Sequence, residues 1–124
     1  MLFLTETWLK PALLDSMIEP EGYNVLRSDR VMSKGGGVLL FYKSHLKIEN
    51  LNFVVTNLNT PGFEFLCVDL SVCAFIFRFL CFYVPPISSS SNNIMNLICQ
   101  TIDKYVINTR PCYVIGDFNL PHIN

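Results

Sequence analysis

Charge is scarce in this chain of 124 residues: 15% are Asp, Glu, Lys or Arg, while 51% are hydrophobic. A small domain has much surface to cover with polar groups, so such an excess suits a piece whose apolar faces are made to meet further chain. What charge there is interrupts the longest apolar tract. Phe63 to Val84 contains Glu64, Asp69 and Arg78, each costly in hydrocarbon, which argues against a membrane-spanning helix there. The opening Met1-Leu2-Phe3-Leu4 has no basic flank and meets Glu6 at once, so no secretory signal is predicted. The five cysteines form no Cys-x-x-Cys pair, which excludes the usual zinc spacings. Their odd number and the missing signal predict reduced, mostly buried thiols in an intracellular protein, nuclear or cytoplasmic and not secreted. Gly35-Gly36-Gly37 lacks both the Walker A pattern and the spaced glycines of dinucleotide sites, so a hairpin connection outweighs a phosphate cradle. Without repeats, linkers or low-complexity tails, residues 1–124 are one domain or part of one.

The residues that are present alternate between strand and turn chemistry. Leu2–Thr5 reads as the tail of a buried strand that ends at Glu6, and Pro11 opens a short helix through Leu14. A strand from Tyr23 to Ser28 leads through the glycines to a central strand from Val38 to Tyr42. Lys47 to Thr56 predicts another strand or strand pair, followed by a turn over Asn57 to Gly62. Glu64–Ser71 and Phe75–Tyr83 read as an antiparallel pair, the second strand apolar enough to be buried on both faces. The run Ser88 to Asn92 offers helix caps. Ile94, Leu97, Ile98, Ile102, Tyr105 and Val106 then follow at helical spacing, to an end near Asn108 or Thr109. Cys112–Ile115 is a short buried strand that delivers Gly116-Asp117-Phe118-Asn119. The order of elements is mixed α/β and rich in strand.

Two acidic residues stand at strand ends, Glu6 after the first apolar run and Asp117 after the last. Strands fix geometry there while loops stay open to ligands, although a carboxylate in such a place is more often a cap or a surface charge. Charge is also unevenly placed. Arg27, Arg30, Lys34, Lys43 and Lys47 against Asp29 give +4 between residues 27 and 47, which leaves −5 for the remainder of a chain of net charge −1. A basic surface beside an acidic pocket suits an enzyme that holds phosphates while a carboxylate holds a metal, and a solvated strand-and-loop face accounts for the same charges.

Four blocks in order, Thr5-Glu6-Thr7-Trp8-Leu9, Arg27-Ser28-Asp29-Arg30 with Gly35-Gly36-Gly37-Val38, Tyr83-Val84-Pro85-Pro86, and Gly116-Asp117-Phe118-Asn119-Leu120-Pro121, span nearly the whole chain. Taken together they resemble the endonuclease/exonuclease/phosphatase superfamily, and within it the apurinic-like endonuclease domain of non-LTR retrotransposons. That resemblance implies an α/β fold: a partial, DNase I-like two-sheet β-sandwich with flanking helices, in which the first strand and the C-terminal half of the family's domain are missing. It implies Mg²⁺, or Mn²⁺ in its place, held by Glu6, a hard cation on an oxygen ligand. Asp117 would orient or deprotonate the attacking water, Asn119 would steady the phosphate, and Tyr83 would stand beside it as a further catalytic residue. Arg27, Arg30 and Lys34 would meet the backbone of DNA, the implied partner. No small-molecule cofactor and no membrane are implied.

The family's domain also has a first-strand asparagine at the metal and a closing Ser-Asp-His motif, and this sequence contains neither. The isolated chain is therefore expected to be inactive or nearly so. The alternatives are a remnant that binds nucleic acid without cutting and a phosphatase or phosphodiesterase branch of the same superfamily.

Overall fold

The computed structural model describes residues 1–31, 34–52, 62–86, 91–106 and 109–120. Seven strands and one α-helix make up its regular structure: β1 (Leu2–Thr5), β2 (Tyr23–Ser28), β3 (Val38–Lys43), β4 (Lys47–Asn52), β5 (Glu64–Val72), β6 (Phe75–Tyr83), α1 (Ser91–Tyr105) and β7 (Cys112–Asp117), with one 3-10 turn at Asp15–Met17. The protein is thus mixed α/β and mostly sheet, as its residue pattern predicts.

The strands form two sheets, one of three strands in the order β1-β3-β2 and one of four in the order β4-β5-β6-β7. All neighbours are antiparallel except β6 and β7, which run parallel and are joined through α1. A parallel pair needs such a crossover, because a tight turn can only reverse the chain. Period-two alternation divides β5 and β6 between two cores. Leu66, Val68, Cys81 and Tyr83 face the other sheet and pack with Val38 and Leu40, with Phe3, Leu26 and Ile115 alongside. Phe65, Cys67, Leu80 and Phe82 face the opposite way and meet Ile94, Ile98 and Tyr105 of α1. The layers are therefore sheet, sheet, helix. Leu80, Cys81, Phe82 and Tyr83 are buried in succession, so the C-terminal half of β6 has the two-sided burial expected of it, whereas its first residue, Phe75, is exposed.

A buried ion cluster ties the helix to the sheet. Arg78 and Asp69 are cross-strand partners. Arg78 donates from Nε and Nη2 to the two Asp69 oxygens at 2.8 Å each, and from Nη1 to the Tyr105 carbonyl at 2.6 Å. Arg110 adds a 2.7 Å contact to Asp69 Oδ2. The guanidinium thus caps a carbonyl of the last helical turn. This explains why α1 stops at Tyr105, short of the Asn108 or Thr109 suggested by its periodicity.

Other sequence expectations need correction. The segment opened by Pro11 forms turns, and its helical character is confined to the 3-10 turn at Asp15–Met17, where Ile18 and Glu19 N–H groups share the Asp15 carbonyl. Cys67 and Cys81 are buried, but Cys73 and Cys99 are exposed, the first in the β5–β6 turn and the second on α1. The strand expected from Lys47 ends at Asn52, and residues 53–56 and nearly all of the turn expected at 57–62 lie outside the described residues. The tract Phe63–Val84 is mainly the β5–β6 hairpin, and no helix among the described residues is long and apolar enough to cross a membrane.

Removing Asp69 leaves two arginines without their shared partner. Asp69→Ala is expected to cost about 3–5 kcal/mol in urea unfolding, the range for breaking a buried pair. Arg110→Ala, at the exposed margin, should cost less than about 1 kcal/mol. Burial also pushes the Cys67 and Cys81 thiols up to about 12. A disulfide reagent should therefore titrate Cys73 and Cys99 rapidly and reach Cys67 and Cys81 only on unfolding; rapid reaction at all five would contradict the packing described.

Candidate functional site

Register brings the acidic strand ends together. Tyr83, at the end of β6, lies opposite Glu64 at the start of β5 and opposite Asp117 at the end of β7. Registered residues share a face, and Tyr83 belongs to the core between the sheets, so Glu64 and Asp117 line the same opening at the end of the sandwich. The other sheet contributes Glu6, directly after β1. Tyr83 donates its hydroxyl to Glu6 Oε1 at 3.1 Å, which joins the two sheets across this mouth. Burial, followed by the hydrogen bond and charge of Glu6, raises the Tyr83 pKa above the ordinary phenol value. The residue therefore remains a proton donor at neutral pH.

Arg30, just beyond β2, closes another side. Its Nε and Nη2 reach Glu64 Oε1 and Oε2 at 2.6 and 2.9 Å, a two-pronged pairing that raises the Arg30 pKa, and its guanidinium lies 5.8 Å from the Tyr83 ring centroid. Gly36 makes room for it: a Cβ there would stand 2.5 Å from the Arg30 guanidinium carbon, and the residue has a φ of +72° that side chains avoid.

The loop that carries Glu6 is fastened to the glycine loop. Trp8 N–H donates to the Gly36 carbonyl at 2.9 Å and Thr7 N–H to Gly37 at 3.4 Å. Glu6 and Trp8 adopt φ of 54° and 59°, uncommon for bulky residues, and both are exposed while Thr7 turns inward. Lys34 places its ammonium 5.5 Å from the Trp8 ring centroid.

Asp117 and Asn119 form a compact turn. Asp117 Oδ1 accepts the Asn119 N–H at 3.2 Å, Asn119 Nδ2 donates to the Val84 carbonyl at 2.9 Å, and Val84 N–H donates to the Asp117 carbonyl at 2.8 Å. The amide of Asn119 thus spends one hydrogen on the backbone and has a second to offer. Gly116 is demanded by the pairing of β7, since a Cβ there would collide with the Phe82 carbonyl.

Glu6, Tyr83, Asp117 and Asn119, all expected at a site, are thus gathered at or beside one mouth, and Arg30 joins them bound to a carboxylate. Arg27 does not join them. It projects from the other face of its sheet, pairs with Asp15 at 3.1 Å and Asp29 at 3.4 Å, and donates to the Leu13 carbonyl. Its role there is to hold the segment before β2 against the sheet, which differs from the phosphate contact expected. Asp29 pays for that location with a raised pKa, caused by burial and opposed by Arg27. Sequence reasoning missed Glu64. Its only signal was an acid opening a buried strand, and its partner lies 34 residues away.

Among the described residues no group of three or more His, Cys, Asp and Glu is arranged as a metal cage. The donor chemistry still fits Mg²⁺, which is commonly held by one or two carboxylates with water and substrate oxygens. Glu6 is an exposed oxygen ligand of that type, whereas Glu64 is matched by Arg30.

Fold and site together define a two-sheet α/β protein with an acidic and aromatic mouth at one end of its sheets. Neither a scan against protein-family models nor a search of curated proteins returns a match for the chain.

Two measurements check this geometry. Glu6→Gln removes the charge beside Tyr83 and should lower its pKa toward the ordinary phenol value without reaching it, because burial, the larger cause, remains, read as tyrosinate absorbance lost in Tyr83→Phe. Because the folded pKa is raised, stability from this hydroxyl is full below the unfolded value and is lost as pH rises through the folded one. Gly116→Ala should destabilise by more than about 1 kcal/mol through displacement of β7, visible in thermal unfolding.

Proposed function

We propose that this chain carries a Mg²⁺-dependent centre for hydrolysing DNA phosphodiester bonds, of the kind found in non-LTR retrotransposon endonucleases, on a DNase I-like form of the two-sheet fold. The observation that carries the reading is the Tyr83 to Glu6 hydrogen bond between sheets, with Asp117 in register beside Tyr83. Two carboxylates and a phenol that keeps its proton then face one opening. In this reading Glu6 holds the cation, which when bound supplies neutralising charge at the scissile phosphate. Asp117, its carboxylate oriented by the Asn119 N–H, positions and deprotonates water. The single Tyr83 hydroxyl hydrogen, given to Glu6 here, would turn to a phosphate oxygen once a cation occupied that carboxylate, the second Asn119 amide hydrogen can donate there as well, and Arg30 keeps positive charge behind the tyrosine ring.

With supercoiled plasmid the purified chain is expected to produce nicked circles only when Mg²⁺ or Mn²⁺ is added. The rate should be low, because the one described histidine, His45, follows β3 at the opposite end of the sheets. Glu6→Gln and Asp117→Asn should each lower the rate by about 10²- to 10⁴-fold with unfolding curves retained. Nicking that continues unchanged in EDTA, or that persists in Glu6→Gln and Asp117→Asn, would sink the hydrolytic reading. A second reading, binding of nucleic acid without cleavage, is favoured by the exposed pair Trp8 and Lys34 beside the mouth. Its signature is a gel shift that weakens steeply with salt and leaves DNA uncut.

A further inference from the structure

The indole of Trp8 is 53% exposed, on a residue whose φ of 59° is rare for a bulky side chain. Exposure alone would not set it apart, since Phe75 is 67% exposed, but Phe75 lies in a regular strand while Trp8 is left in water by a costly backbone conformation, which needs a reason. The ring is also held in place. Its backbone N–H is fixed to Gly36, and part of the indole lies against Gly35, where a Cβ would make an ordinary 3.6 Å contact. The Lys34 ammonium lies over the ring, 5.5 Å from its centroid, so a base stacking there would displace a phosphate-seeking cation toward its own phosphate. Glu6 is two residues away on the same loop, within about 7 Å along the backbone, and is likewise exposed.

An aromatic face, a cation and a carboxylate bonded to Tyr83 in such order match one nucleotide and its neighbour. We infer that Trp8 is a stacking platform for a nucleobase adjacent to the phosphate that meets the cation at Glu6, with Lys34 on the phosphate of the stacked nucleotide. A base inside a duplex already has both faces covered, so the platform selects DNA with an unpaired or extruded base over closed duplex. This inference rests on the nucleic-acid reading of the mouth and adds to it the state of the strand that is recognised.

Trp8 is the sole tryptophan of the chain, so its emission reports on this one ring. The full chain, in buffer with Ca²⁺ in place of Mg²⁺ to fill the cation position without cleavage, is titrated into an end-labelled single-stranded oligodeoxynucleotide of mixed sequence and into its duplex. Label anisotropy follows binding, and tryptophan emission with acrylamide quenching follows the ring. Expected are tighter binding of the single strand, quenched emission and protection of Trp8 from acrylamide. Trp8→Ala should weaken single-strand binding on the order of tenfold, while Trp8→Phe retains most of it. Binding that leaves emission and acrylamide access unchanged, equal affinity for both forms, or full affinity in Trp8→Ala would overturn the platform and leave the nucleic-acid reading standing. No anisotropy change with either DNA would overturn both.

Discussion

The pairing of Arg78 with Asp69 is the constraint on which the rest of this structure depends. Both charges are taken out of water in the middle of the central hairpin, and only complete satisfaction of their hydrogen bonds makes that tolerable. The geometry that satisfies them sets the register of β5 on β6, ends α1 at Tyr105 and draws in Arg110 just before β7. A slip of one residue would turn Phe65, Leu80 and Phe82 from the helix toward the other sheet and separate the ions at the same time. Apolar packing supplies the stability of the sandwich; the ion cluster specifies its alignment.

The mouth inherits that alignment. Five residues along β6 from Arg78 stands Tyr83, and whatever fixes the first fixes the second against Glu64 and Asp117. Negative charge collected there is moderated within the site, because Arg30 neutralises Glu64 and the Tyr83 hydroxyl donates to Glu6. The backbone conformations least comfortable for side chains, at Glu6, Trp8 and Asn119, lie in the loops around this mouth, with Cys73 the one other non-glycine example among the described residues. Strain concentrated beside converging polar groups is characteristic of sites held ready for a ligand.

Much of this architecture was legible in the sequence, and the parts that were not share a cause. Strands with clear alternation or two-sided burial, such as Val38–Lys43 and Phe75–Tyr83, declare themselves through local pattern. So do the acids that follow the short apolar runs at Glu6 and Asp117. The pairing order that places β3 between β1 and β2 is non-local, as is the bond between Arg30 and Glu64. Arg27 and Arg30 are three residues apart and chemically identical, yet opposite faces of the sheet give one to the segment before β2 and the other to the mouth. Helix periodicity overran Tyr105 because the cap there comes from a side chain on another element. The exposure of Cys73 was hidden by apolar neighbours that conceal a two-residue turn.

That turn has a practical side. Cys73 and Ala74 reverse the chain between Val72 and Phe75, at the pole opposite the mouth. Eight residue steps along β6 lead from Phe75 to Tyr83, a span of about 27 Å at the usual rise. With Cys99 and the half-buried Cys112 replaced by serine, an exposed thiol remains at this tip while Cys67 and Cys81 stay sealed inside. Coupled through that sulfur to a solid support, every molecule would stand with its acidic opening turned toward the solution, an orientation supplied by the fold's own chain reversal.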